Sequence, residues 1–135
     1  MRVNCRKPLS RGSAVAKRVR ASIQTARFGG AEQERPFVDY LQALARWDKF
    51  ATFEPTLAIS GDGDGSLRHR LLGPATRGNV FAKTGYIQGV VTLCGYVHAR
   101  SGTTYAFSIL INGGCPEWKG HTFQDRVVTE IANIG

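Results

Sequence analysis

Lys83, Thr84 and Gly85 follow one another at the end of the stretch Val80-Phe81-Ala82-Lys83-Thr84-Gly85. On a strand they would present a cation, a hydroxyl and an accessible backbone to an anionic ligand. Glycine lets such a ligand approach closely because no Cβ intervenes. Taken alone, the three residues read equally well as a strand end entering a turn, with the lysine in solvent. Asp62 and Asp64, in the run Gly61-Asp62-Gly63-Asp64-Gly65, invite a calcium reading. A calcium loop needs a glutamate at its twelfth position; counted from Asp62 that position is Gly73, so the pattern fails. The glycines here permit a tight chain path instead. Cys5, Cys94 and Cys115 are odd in number, which argues against a complete disulfide framework. Their spacing with His69, His98 and His121 matches no zinc module. No metal and no other cofactor is expected. Cys94 lies in an apolar run and reads as a core thiol, whereas Cys115, beside Pro116, reads as a loop residue.

The elements that must position the Lys-Thr-Gly stretch come from hydrophobic periodicity. Pro36 can open a helix, and Phe37, Leu41, Leu44 and Ala45, extended by Trp47 and Phe50, recur at helical spacing over residues 36–50. Asp39, Gln42, Arg46 and Asp48 would face water. Leu57-Ala58-Ile59 is a short apolar run entering the Gly-Asp loop. Ser66 to Leu72 is expected to make a helical turn with Leu67, Leu71 and Leu72 inward. Three strands follow: Val80 to Gly85, Val90 to Ala99 and Thr103 to Ile111. In the second, Val91, Leu93, Gly95 and Val97 share one face and Val90, Thr92, Cys94, Tyr96 and His98 the other, as expected of a central strand covered on both sides. In the third, Tyr105, Phe107, Ile109 and Ile111 alternate with Thr104, Ala106, Ser108 and Leu110. The short connections suit antiparallel neighbours. A last helix is expected from Trp118 to Ile134, with Phe123, Val127, Val128, Ile131 and Ile134 inward and Asp125, Arg126, Thr129 and Glu130 outward. A weaker helical stretch, Ser13 to Ala26, has a thin apolar face. The expected class is α/β (α+β), an antiparallel sheet with N- and C-terminal helices packed on it.

At 135 residues and 42% hydrophobic, the chain fits one modest domain with a core. The net charge of +8 is uneven. Residues 1–35 hold nine Lys/Arg and two Glu, whereas residues 36–135 hold nine Lys/Arg and eight Asp/Glu. We therefore divide the chain into a basic, weakly organised segment, 1–35, and a folded region, 36–135. The basic residues chiefly keep the first segment soluble. With no helix-turn-helix or zinc pattern and no basic stripe interleaved with aromatics, no nucleic-acid partner is expected. No apolar run is long enough to span a bilayer, and none follows the first basic residues as a secretory signal would require.

Several ordered motifs resemble the penicillin-binding DD-peptidases of the D-alanyl-D-alanine carboxypeptidase/endopeptidase type. They are Gly61 with Asp64-Gly65-Ser66-Leu67 and then Arg70, Ala82-Lys83-Thr84-Gly85, Leu93-Cys94-Gly95-Tyr96-Val97, and the strand end from Phe107 to Gly113. The resemblance covers the stretch from Leu57 to Asn112, with the terminal helix matching more loosely and the first 35 residues not convincingly aligned. The resemblance implies part of a β-lactamase/transpeptidase-like fold and a serine acyl-transfer site. Lys83 would be the catalytic residue, aiding proton transfer and shaping the field on the substrate. Thr84 would bind the terminal carboxylate, Gly85 would let the substrate pack closely, and the Tyr86 N–H would serve the oxyanion hole. The family usually has Thr or Ser at the place of Tyr86, so a short hydroxyl near the carboxylate is missing and the cleft is narrower.

Two family motifs are absent: no Ser-x-x-Lys and no Ser-x-Asn occurs in these residues. Ser13 and Lys17 are one residue too far apart, and Pro8-Leu9-Ser10-Arg11-Gly12 is only an echo of the segment expected there. The resemblance thus implies a carboxy-terminal piece of a family member acting on peptidoglycan peptides, inactive by itself. A peptidoglycan stem peptide or a β-lactam would be the ligand of the complete enzyme, which would reside in the periplasm or cell envelope. The piece would form a homodimer or need a completing partner. The alternative is a non-catalytic binding module for D-alanyl-D-alanine-like carboxylates.

Overall fold

The computed structural model describes residues 35–112 and 116–135. The expected helix at 13–26, the Ser13–Lys17 pair, Cys5 and Cys115 lie outside the described residues. Four strands form one antiparallel sheet in sequence order: β1 (Ala58–Ile59), β2 (Val80–Ile87), β3 (Val90–His98) and β4 (Thr104–Ile111). Helix α1 (Arg35–Leu44) and the short α2 (Phe50–Phe53) precede the sheet, and α3 (Glu117–Ala132) follows it. Strand β2 pairs with β3 from Val80↔Val97 to Ile87↔Val90, and β3 with β4 from Val91↔Ile111 to His98↔Thr104. The β2–β3 hairpin closes through Gln88 and Gly89, both at positive φ (40° and 84°), the backbone that a two-residue turn of this twist demands.

The alternation in β3 and β4 divides the core as the sequence implies. Val91, Leu93 and Val97 join Tyr105, Phe107, Ile109 and Ile111 in the larger cluster, closed by Val127, Val128, Ile131 and Ala132 of α3. On the opposite face Tyr96 and Ala106 pack with Leu41 of α1. Two glycines set close approaches. A Cβ at Gly95 would overlap the Phe81 carbonyl oxygen of β2, and one at Gly120 would stand 2.8 Å from Val91 Cγ2, so α3 lies on β3 at a distance only glycine permits.

Four expectations change. The helix expected over 36–50 ends at Leu44, where the hydrogen bonds shift to Arg46 N–H→Ala43 O and Trp47 N–H→Leu44 O. The break lets two segments use one anchor: Tyr96 donates its hydroxyl to the Leu41 carbonyl (2.6 Å) while Phe50 packs edge-on against its ring (4.9 Å). The buried side of α1 accordingly carries Val38, Leu41 and Gln42, with Phe37 exposed. Residues 66–69 form turns, not a helical turn, and Leu71 adopts φ 57°. That left-handed residue reverses the chain, so Leu67 and Leu71 are buried and Leu72 is exposed. In α3, Gln124 is fully buried and Phe123 is partly exposed. Asp125 does not simply face water: its carboxylate accepts from Arg70 Nη2 at 2.6 Å and Nε at 3.1 Å. Arg70 Nη2 also donates to Gln124 Oε1 (3.0 Å), so the loop after β1 is clamped onto α3.

Candidate functional site

Strand β2 carries the Lys-Thr-Gly stretch and lies near an edge, because β1 is only two residues long. Val80 gives its N–H to Ser60 Oγ (3.2 Å) and accepts the Ser60 N–H at its carbonyl (3.0 Å). Backbone groups alternate sides along an antiparallel strand. Val80, Ala82, Thr84 and Tyr86 therefore direct N–H and C=O toward the β1 side. β1 reaches only to Ala82, through Ala58. Beyond it, the N–H and C=O of Thr84 and Tyr86 face a side with no strand opposite among the described residues.

The side chains divide between the two faces. Lys83 is exposed, and its Nζ folds back onto the Thr84 carbonyl at 2.6 Å. By register Lys83 stands across from Cys94, which stands across from Ser108. Burial pushes the Cys94 thiol above its ordinary value, and the Lys83 ammonium pulls it back part of the way. Thr84 projects from the other face, where its Oγ1 lies 2.9 Å from Ser66 Oγ. Gly85 has a reason of its own to lack a side chain: a Cβ would overlap the Thr92 hydroxyl on β3. The Tyr86 ring is half exposed.

Lys83, Thr84, Gly85 and Tyr86 thus follow one another along the part of β2 that, among the described residues, has no strand beside it on the β1 side, with the lysine and threonine side chains on opposite faces. The contact between Ser66 and Thr84 bridges 18 positions of sequence and had no signature in residue spacing. It depends on the Gly-Asp loop, in which Gly61 N–H donates to Leu67 O and Arg68 N–H to Gly65 O, both at 3.1 Å. Gly65 lies close enough to β1 that a Cβ there would be 3.1 Å from Ala58 Cβ. A groove along α3 of about 350 Å³, lined by Thr122, Asp125, Arg126, Thr129 and Glu130, contains none of the Lys-Thr-Gly residues. Among the described residues no group of three His, Cys, Asp or Glu could hold a metal ion, and no helix is long and apolar enough to cross a membrane.

Comparison with known proteins finds relatives of this chain. A curated D-alanyl-D-alanine carboxypeptidase of Actinomadura sp. (strain R39) is 42% identical over 66 residues, covering 46% of this chain and 12% of that protein. The crystal structure of penicillin-binding protein 4 from Haemophilus influenzae matches 73% of this chain with a TM-score of 0.65 at 26% identity. A second structure of that protein, complexed with a β-lactam, matches equally well. The chain spans 24–25% of the length of those two structures. The sheet and its helices are thus a partial penicillin-binding-protein fold. The profile of the D-Ala-D-Ala carboxypeptidase 3 (S13) family covers residues 34–134, and the chain belongs to that family.

Proposed function

We propose that residues 36–135 form the substrate-receiving part of a serine-type D-alanyl-D-alanine carboxypeptidase or endopeptidase, which acts on peptidoglycan peptides by acyl transfer. The observation that carries this reading is the edge of β2, where the backbone groups of Thr84 and Tyr86 have no strand opposite among the described residues and Lys83 stands exposed beside them. An extended peptide can add to such an edge through its main chain. Its terminal carboxylate would accept from the Thr84 hydroxyl, Gly85 would keep the contact short, and the Tyr86 N–H would face the oxygen on which tetrahedral charge develops. Lys83 would assist proton transfer to and from the nucleophile and bias the field toward an anionic tail. The nucleophile itself must come from elsewhere, since these residues hold no Ser-x-x-Lys. We place the complete protein in the cell envelope. Its ligand would be a peptidoglycan stem peptide or a β-lactam, and residues 1–35 would form a separate basic segment.

The purified chain should therefore not hydrolyse a D-alanyl-D-alanine peptide or become covalently labelled by a penicillin. Turnover that disappears in Lys83→Ala would overturn the claim of inactivity. A second reading, a non-catalytic receptor for D-alanyl-D-alanine-like carboxylates, is favoured by the same edge without a nucleophile. Saturable, non-covalent binding of the dipeptide by the chain alone would support it.

A further inference from the structure

The Thr84 hydroxyl is not alone at the edge. Ser66 Oγ lies 2.9 Å from it, at a position held from both sides. Gly65 packs against Ala58 of β1, and Leu67 is fully buried in the larger core cluster. Three residues further on, Arg70 is tied to Asp125 of α3. Ser66 itself is exposed, so its hydroxyl contributes to the edge and not to the core.

Two facing hydroxyls share one hydrogen bond in either direction, because each has one proton and can also accept. When Thr84 donates to Ser66, its proton is used and it offers an approaching anion nothing. When Ser66 donates to Thr84, the Thr84 proton is free to point at the open edge. A carboxylate can only accept, so its arrival selects the second order, and the two bonds then polarise one another in the same sense. An amide cap carries donors of its own and selects the second order far less strongly. Tyr86 puts a ring next to Thr84, so Ser66 is the short hydroxyl available to this role.

We infer that Ser66 is a positioning residue that sets the Thr84 hydroxyl as a donor and thereby makes the site prefer peptides ending in a free carboxylate over their amides. The inference rests on the reading of β2 as the substrate edge.

The test uses the full chain and two probes, N-acetyl-D-alanyl-D-alanine and its C-terminal amide, titrated while the backbone amide resonances of Thr84 and Tyr86 are followed by NMR. Ser66→Ala should weaken binding of the free acid by roughly three- to tenfold, the worth of one hydrogen bond, and leave the amide unaffected. Ser66→Thr, which keeps the hydroxyl, should restore the preference. Unchanged melting temperatures would establish that the exposed substitutions leave the fold intact. If Thr84→Val abolishes the preference for the acid but Ser66→Ala does not alter it, the role of Ser66 is refuted and the substrate edge stands. If neither probe binds, or if Thr84→Val changes nothing, the substrate edge itself falls and the inference with it.

Discussion

Lys83 and Thr84 show how little a residue's neighbours in sequence say about its neighbours in space. They are adjacent, yet the ladder sends one side chain toward Cys94 and the other toward Ser66. His121 shows the same principle through charge. Its imidazole is held below its ordinary value of 6.5, first by burial and then by the Arg70 guanidinium, with Glu117 and Asp125 pulling it back up. A folded state that resists protonation binds fewer protons than the unfolded chain, so stability rises with pH in that range. The contribution from a neutral His121 is complete above about pH 6.5 and declines as pH falls toward the folded value. Urea midpoints measured between pH 5 and 7.5 should rise with pH, and His121→Gln should flatten that rise. An unchanged slope in the variant would assign the dependence to another group.

At the scale of elements, two contacts decide how α3 meets the rest of the fold. The first is Arg70–Asp125, whose side chains are 11% and 29% exposed. Such a pair adds little over an apolar replacement, but breaking it from one side strands a mostly buried charge. Asp125→Ala should cost about 2–4 kcal/mol, somewhat less than for a fully buried pair because water still reaches the carboxylate. Replacing both partners, Arg70→Met with Asp125→Leu, should recover most of that loss. Denaturant midpoints of the two variants would distinguish a clamp from a bystander. The second contact is Gly120 over Val91. Alanine normally stabilises a helix interior by about 0.5–1 kcal/mol relative to glycine, but here its methyl would meet Val91 Cγ2 at 2.8 Å. Gly120→Ala should therefore lower the melting temperature, and Val91→Ala should reverse part of the effect by making room, even though that change is costly alone.

Among the described residues the sheet has open edges. β1 shields only the first residues of β2, β4 is the outer strand on the other side, and Ile87 at the hairpin tip is 75% exposed. Open strand edges recruit further strands. We therefore expect the purified chain to associate in a concentration-dependent manner, as a homodimer or with a completing partner. Ile87→Lys, which places a charge at the hairpin end of the unpaired edge, should shift it toward monomer in light scattering. A wild-type chain that remains monomeric and melts cooperatively at all concentrations would contradict this. The family relation is legible in the sequence because it rests on motifs that are local there, such as Ala82-Lys83-Thr84-Gly85 and Leu93-Cys94-Gly95-Tyr96-Val97.

Local pattern also determined the three long strands, their antiparallel order and the faces of β3 and β4. Side-chain alternation and short turns are set by residues a few positions apart, and the core followed those faces. Contacts between distant segments were decided only in the tertiary structure. The break after Leu44 exists because Tyr96 anchors both Leu41 and Phe50. Leu72 turns outward because Leu71 takes a left-handed backbone. Asp125 is drawn from solvent by Arg70, and Thr84 finds Ser66 because the Gly-Asp loop folds back along β1. In each case the deciding partner lies far along the chain, and no periodicity encodes a single contact made across such a distance.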